Sequence, residues 1–410
     1  MSVNAGDTAW LLVSSALVML MTPGVALFYG GMVRRKNTLS TVMMSFVCLG
    51  LVGLLWVLYG YSLSFGADNG GFIGGLNFAG LMNVGQEPSS VYATTVPHLA
   101  FMIFQAMFAI ITVALITGAV VERMKFGALL VFSALWLTVV YCPVAHWVWG
   151  SGWLARLGAL DFAGGSVVHL NAGVSALALV MLLGRRRGFP GEPMEPNNIP
   201  LVVLGAGLLW FGWFGFNAGS ALTSGGLASS AFVATNTAAA TAAFTWMILS
   251  WLHRRPTLLG TATGAVAGLA TVTPAAGFVT PLAGIPIGIG AAIACYYAMM
   301  LFKMKLSFDD SLDVFAVHGV GGMLGMLSVG IFASLAVNPA GANGLVYGGG
   351  MQVLKQLAAI GAVGGFAFTA TWLLGKLVDV ALGLRVGQRE ETVGLDLSQH
   401  GERAYGGLLR

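Results

Sequence analysis

Long apolar runs dominate this 410-residue chain, and they limit what it can fold into. Hydrophobic residues make up 57% of the sequence and charged residues only 8%, whereas soluble globular proteins carry roughly 25% charged residues. A membrane-spanning helix needs about 20 predominantly apolar residues. The pattern therefore predicts an all-α integral membrane protein with eleven transmembrane helices. The predicted spans are 8–33, 39–65, 97–121, 126–149, 164–184, 199–218, 226–252, 257–274, 281–303, 313–336 and 350–384.

The basic residues predict how these spans are oriented. All but two of the 19 Lys and Arg residues, Arg156 and Lys355 being the exceptions, lie in alternate connections or in the C-terminal segment. Cytoplasmic loops collect Lys and Arg. We therefore expect an N-terminus outside the cell, a transmembrane domain over 1–384 and a cytoplasmic tail over 385–410. The net charge of +4 then reflects topology in a cell inner (plasma) membrane, and no nucleic-acid partner is expected.

The N-terminal run is predicted to be a retained helix. No Lys or Arg precedes Arg34, and a secretory signal needs a basic region before its apolar stretch. The first apolar run is also longer than the apolar part of a signal peptide.

Two segments of the chain share a spacing of acidic residue and histidine. Asp161 precedes His169 by the same distance that separates Asp310 from His318. The two segments open the fifth and tenth predicted spans. Because each copy contains an odd number of spans, the two copies would have opposite orientation. The spacing therefore predicts an inverted repeat of spans 1–5 and 6–10, with the working site at the repeat interface.

The two histidines are the main candidates for chemistry. Ionisable residues inside a membrane are costly and mostly face a pathway or a partner, so His169 and His318 are predicted to meet near the bilayer midplane. Paired histidines can also bind a metal, but the sequence has no third ligand at suitable spacing and no cysteine cluster. There is also no nucleophile elbow and no phosphate-binding loop. No metal, cofactor or enzymatic activity is expected.

Aromatic residues near the span ends have two interpretations. Trp147 and Trp149 end the fourth span, Phe104 and Phe108 lie one turn apart in the third, and Phe216 lies near the end of the sixth. Tryptophan at a membrane interface is commonly an anchor. Aromatic faces also attract a desolvated cation, so a cation site is the alternative.

Several motifs together resemble the ammonium transporter (Amt/Mep/Rh) family, and the Amt type in particular. The resemblance covers almost the whole chain. Its most characteristic segments are Pro23-Gly24-Val25-Ala26-Leu27-Phe28-Tyr29-Gly30-Gly31, Asp161-Phe162-Ala163-Gly164-Gly165, His169-Leu170-Asn171-Ala172, Trp213-Phe214-Gly215-Phe216-Asn217-Ala218-Gly219-Ser220, Val317-His318-Gly319-Val320 and Gly394-Leu395-Asp396.

The resemblance implies an ammonium transporter that recruits ammonium, deprotonates it and conducts ammonia, with proton co-transfer left open. It implies a homotrimer in the lipid bilayer with one pore per subunit, and a PII-type signal protein as partner at the cytoplasmic face. An ammonium sensor and an Rh-like gas channel are the alternatives. The implied roles are an outer ammonium site at Phe108, Trp149 and Ser220, an aromatic gate at Phe108 and Phe216, a pore lined by His169 and His318, and vestibule structure at Asp161, Phe104 and Thr263. Many family members carry Ser at the position of Thr263, and both side chains offer a hydroxyl.

Overall fold

The structure, a computed structural model, describes residues 2–406 of the chain. Within these residues the fold is a bundle of long helices, which we number in chain order. They are α1 Ala5–Met32, α2 Arg35–Phe65, α3 His98–Val120, α4 Phe126–Leu157, α5 Gly165–Leu183, α6 Ile199–Gly219, α7 Gly226–His253, α8 Leu258–Val272, α9 Pro281–Lys305, α10 Phe315–Phe332 and α11 Met351–Leu382.

Ten of these helices are long and apolar enough to cross a membrane. The exception is α8, which has 15 residues. The bounds mostly follow the predicted spans, but α4 continues to Leu157, well past the predicted end at 149, and α10 ends at Phe332 although apolar residues continue. The backbone N–H of Ser334 donates to the carbonyl of Phe278 at 2.8 Å. The chain therefore leaves the helix here and forms a hydrogen bond with the turn that follows α8.

The all-α prediction holds for the bundle but is wrong for the connection between α2 and α3. This segment forms two small antiparallel hairpins, because loop backbone groups still need hydrogen-bond partners. The strands are β1 Asp68–Asn69, β2 Ile73–Gly74, β3 Pro88–Ser89 and β4 Ala93–Pro97.

The two helices that carry the histidines, α5 and α10, pack against each other. Helix α1 packs along α6, while α7, α8 and α9 pack together. Helix α5 contacts α10 and α11. One end of the bundle carries the loops with Arg34, Arg123 and Arg186, and we call it the basic end. The opposite end carries Trp149, and we call it the aromatic end.

The C-terminal segment is folded against the basic end. It forms two short helices, α12 Gln388–Val393 and α13 Leu395–His400. The backbone N–H of Ser40 donates to the Asp396 carboxylate at 2.8 Å, and Lys36 Nζ donates to the carbonyl of Glu391 at 3.0 Å. The tail is therefore attached to the bundle up to α13, whereas Arg410 lies outside the described residues.

Candidate substrate site and histidine pair

A cavity of ≈ 290 Å³ opens at the aromatic end. Phe104, Phe108, Trp149 and Ser220 all line it. The Phe108 ring lies 5.7 Å from the Trp149 ring at an angle of 87°, so two aromatic groups meet there edge to face. The Ser220 hydroxyl donates to the carbonyl of Phe216 at 2.8 Å. Its oxygen lone pairs therefore remain available to accept a hydrogen bond from a molecule in the cavity. We call this space the aromatic cavity.

Two phenylalanines close the floor of the aromatic cavity. The rings of Phe108 and Phe216 lie 4.3 Å apart between centroids, tilted by 40°, and both side chains are buried. Phe104 packs against Phe108 at 4.9 Å. The predicted gate residues are therefore in direct contact. A molecule can pass between them only when their side chains move.

Asp161 shapes the cavity wall through backbone contacts. Its carboxylate accepts hydrogen bonds from the backbone N–H groups of residues 164–167 and from the hydroxyl of Ser166. The positive φ of +116° at Gly164 lets the chain turn back towards this carboxylate, a conformation that glycine adopts most readily. The carbonyl of Asp161 accepts a bond from Trp149 Nε1 at 2.9 Å. Asp161 thus caps α5 and positions Trp149.

Beyond the two phenylalanines, His169 and His318 face each other. Their Nδ1 atoms are 3.2 Å apart, and their rings are 5.2 Å apart at 18°. Both side chains are buried. Because one Nδ1 must donate while the other accepts, the two imidazoles share a single proton along this contact. The Nε2 atom of His169 has no partner among residues 2–406.

The backbones around the histidines explain how the pair forms. Each histidine lies in a π-helical turn, Gly165–Leu170 in α5 and Phe315–Val320 in α10. A Cβ added at Gly173 would lie 2.1 Å from the backbone nitrogen of Gly319. Only glycine allows so close an approach, and this approach brings the two histidine helices together.

The space beside the histidines is narrow and apolar. It amounts to ≈ 10 Å³, which is about the smallest volume that holds one water-sized molecule. Trp213 stacks on the His169 ring at 5.4 Å. The apolar lining comes mainly from Val25, Ile111, Leu115, Leu209 and Val266.

A second cavity, of ≈ 510 Å³, opens at the basic end beneath His318. We call it the basic cavity, because His253, Arg254 and Arg255 line it. Thr263 also lines this cavity, and its hydroxyl donates to the carbonyl of Leu259 at 2.9 Å. Thr263 is therefore separated by the histidine pair from the other predicted vestibule residues, Asp161 and Phe104.

A buried ionic network holds the loops of the basic end together. Arg186 bonds to Glu122 at 2.9 Å and to Asp309 at 2.7 Å, and Arg34 bonds to Glu122 at 3.0 Å. Burial, the largest single effect, raises the pKa of the Glu122 and Asp309 carboxyl groups, but Arg186 together with Arg34 and Asn37 at Glu122, and with Arg123 at Asp309, holds each pKa below its ordinary value. The loop network, as we call Arg34, Glu122, Arg186 and Asp309, connects the ends of α1, α3, α5 and α9.

The sequence analysis missed some residues of these sites. Gln105 lines the aromatic cavity and Trp213 stacks on His169. Gln105 is the only amide in the otherwise apolar helix α3, which is a signal that sequence reasoning could have used. Trp213 gave no such signal, since tryptophan is common in apolar spans. In residues 2–406 no group of three or more His, Cys, Asp or Glu side chains could hold a metal ion.

A bundle with ten apolar helices and two cavities separated by a buried, apolar constriction defines a multi-pass membrane protein of the transporter or channel class. Residues 9–405 match the family model described as Ammonium Transporter Family, and the chain belongs to this family.

Two ammonium transporters match this chain over nearly their full length. The ammonium transporter of Bacillus subtilis is 51% identical over 401 residues, covering 98% of both chains. Ammonium transporter Amt1 of Archaeoglobus fulgidus is 52% identical over 400 residues, covering 98% of this chain and 99% of the relative. The family is one of ammonium transporters, so the chain is a transporter-type protein and not an enzyme.

Solved structures have the same fold. The crystal structure of Candida albicans Mep2 superimposes with a TM-score of 0.89 at 39% identity, covering 98% of this chain and 91% of that chain. A Sensor Amt Protein superimposes with a TM-score of 0.88 at 29% identity, covering 96% of this chain and 98% of that chain.

Proposed function

We propose that this protein recruits ammonium in the aromatic cavity, removes a proton from it and conducts ammonia past the histidine pair. The observation that carries the proposal is the order of the parts along one line. Two phenylalanines in contact separate the aromatic cavity from two facing, buried histidines, and a space of ≈ 10 Å³ lies beside them.

The chemistry of ammonium fits this order. Phe108 and Trp149 present aromatic groups that attract a cation, and Ser220 offers an oxygen acceptor. Beyond Phe216 the lining is apolar, and moving a bare charge through such surroundings costs several kcal/mol or more. Ammonium avoids most of this cost by leaving its proton behind, which potassium cannot do. The proton is either returned or passed along the imidazoles, and the net charge moved per ammonium distinguishes the two.

The proposed recruitment site predicts a loss of affinity in Trp149→Leu. A cation–π contact contributes about 0.5–2 kcal/mol, so the apparent KM for ammonium should rise roughly 2- to 30-fold. Solid-supported membrane electrophysiology on proteoliposomes, with ammonium pulses of increasing concentration, measures this change.

Trp153→Leu is the matched control, because Trp153 is a half-buried tryptophan near the same end but does not line the aromatic cavity. An unchanged KM in a well-assembled Trp149→Leu variant would exclude the recruitment role. A wild-type protein with no ammonium response would support the sensor, and one that passes carbon dioxide instead would support the gas channel.

The proposed topology has eleven spans, with α8 as the eighth although it is short. The N-terminus lies outside, the aromatic end faces outward, and the basic end and the tail from residue 385 face the cytoplasm of a cell inner membrane. The arrangement of His169 on α5 and His318 on α10, each in a π-helical turn, supports an inverted repeat of spans 1–5 and 6–10.

This topology predicts that a reporter fused after Arg410 lies on the cytoplasmic side of the membrane. The charge asymmetry is the physical reason, because basic loops are retained on the cytoplasmic side. Paired alkaline phosphatase and green fluorescent protein fusions measure the location, and fusions within the loop at 185–198 provide the internal control. Phosphatase activity at Arg410 would contradict the eleven-span topology.

The proposal includes two assemblies that the family resemblance implies. One is a homotrimer with a pore in each subunit. The other is a PII-type signal protein docked at the basic end, where Arg254 and Arg255 surround the mouth of the basic cavity. Mass measurement of the detergent-solubilised protein tests the first, and co-purification tests the second.

A further inference from the structure

We propose that the side-chain amide of Gln105 is a further ammonium ligand in the aromatic cavity, and that it sets the preference for ammonium over methylated amines. The inference rests on the proposed function and deepens it. Gln105 lies on the same face of α3 as Phe108, three residues earlier, and both line the cavity.

The amide of Gln105 is unsatisfied in the described protein. Its side chain is 9% exposed, and its Oε1 atom has no hydrogen-bond partner among residues 2–406. A buried polar atom without a partner destabilises the protein, and most such atoms in native structures have one. A donor in the cavity can reach this buried oxygen once the amide rotates towards the cavity.

Ammonium can supply the N–H donor that the side-chain oxygen of Gln105 lacks. It carries four N–H donors in a tetrahedral arrangement, whereas Phe108 and Trp149 offer only ring faces and Ser220 offers one oxygen. Rotation of the Gln105 amide about its terminal bond presents the carbonyl oxygen to the cavity. A cation that only donates hydrogen bonds selects this orientation.

The neutral charge of the amide matters as much as its oxygen. No Asp or Glu lines the aromatic cavity within the described residues, and the Asp161 carboxylate is occupied by the backbone at the start of α5. A carboxylate in contact with the ion would strengthen binding and keep the proton on the nitrogen. A glutamine binds the ion and still allows it to lose a proton.

The test measures KM and maximal current in proteoliposomes for Gln105→Leu and Gln105→Glu, with ammonium and with methylammonium. A hydrogen bond to a charged group is worth about tenfold in affinity at the low end of its range, so Gln105→Leu should raise the ammonium KM about tenfold. The methylammonium KM should rise less, because the methyl group can occupy the space beside the leucine. The preference for ammonium should therefore fall.

The glutamate variant gives the opposite change. Gln105→Glu should lower both the ammonium KM and the maximal current, because a carboxylate holds the cation in the cavity. Met107→Leu, on the same helix but outside the cavity lining, is the control and should behave as wild type.

Equal changes in both KM values for Gln105→Leu would overturn the proposal, as would a KM within twofold of wild type in both Gln105 variants. If Gln105→Leu does not assemble, Gln105→Asn replaces it, and a wild-type substrate preference in that shortened amide would also overturn the proposal. A wild-type protein that shows neither ammonium current nor ammonium uptake into proteoliposomes would instead contradict the proposed function.

Discussion

Replacing His169 or His318 with Asp is expected to let potassium pass through the protein. The facing imidazoles lie in an apolar constriction, where a permanent cation is costly because it has no compensating charge. A carboxylate at either position would supply that charge and lower the cost. Potassium-driven current in proteoliposomes, recorded alongside ammonium current, measures the change.

Replacement of either histidine with Ala should instead reduce ammonium transport. Under the proposed mechanism, loss of the 3.2 Å contact between the Nδ1 atoms breaks the imidazole pair in the constriction, so ammonium current should fall while the protein remains assembled. Exclusion of potassium by both Asp variants, together with native ammonium transport in both Ala variants, would show that the histidines have only a structural role.

A second large effect is expected from Arg186→Leu in the loop network. The variant leaves Asp309 without its guanidinium partner, while Glu122 keeps Arg34 and the amide of Asn37. Removing one partner of a buried ion pair costs about 3–5 kcal/mol, because the remaining charge stays buried. The midpoint of thermal unfolding in detergent should fall clearly. Arg187→Leu is the matched control, since Arg187 is exposed and its side chain bonds only to Thr392.

The pH dependence of this penalty follows from the carboxyl groups. In the native protein the pKa values of Glu122 and Asp309 are lowered, so their contribution to stability is present above their ordinary values and is lost as the pH falls through the lowered ones. Without Arg186 the two groups protonate more readily. The difference between variant and wild type should therefore shrink below about pH 4. Adding Asp309→Asn to Arg186→Leu should restore part of the stability, and a further loss would contradict the network.

The bundle was predictable because each span is a local pattern. A run of apolar residues indicates a membrane helix without reference to the rest of the chain, so the predicted span 97–121 differs by one residue at each end from α3. The hairpins between α2 and α3 were missed, because strands as short as Asp68–Asn69 leave no periodic pattern.

The candidate site was predictable only in part. The histidines were indicated by their position inside apolar spans, and family resemblance indicated the roles of Phe108 and Trp149; the structure brings all four residues onto one line. Resemblance grouped Thr263 with Asp161 and Phe104, although Thr263 follows Arg254 and Arg255 closely near the start of the eighth span, which indicated the basic end. The loop network was missed because Glu122 and Asp309 are far apart in sequence and meet only through Arg186.

The π-helical turns at Gly165–Leu170 and Phe315–Val320 have a consequence for how this sequence can change. A π-helical turn closes over one more residue than an α-helical turn, and it resembles a single-residue insertion that has been kept. Deleting one residue inside either turn would restore regular α-helix and strengthen the local backbone bonds. The same deletion would rotate that histidine by about 100° relative to the rest of its helix, because each residue turns an α-helix by that angle. The orientation of each imidazole therefore depends on the number of residues in its turn, so an insertion or deletion there would misorient the histidine even if the histidine itself were kept.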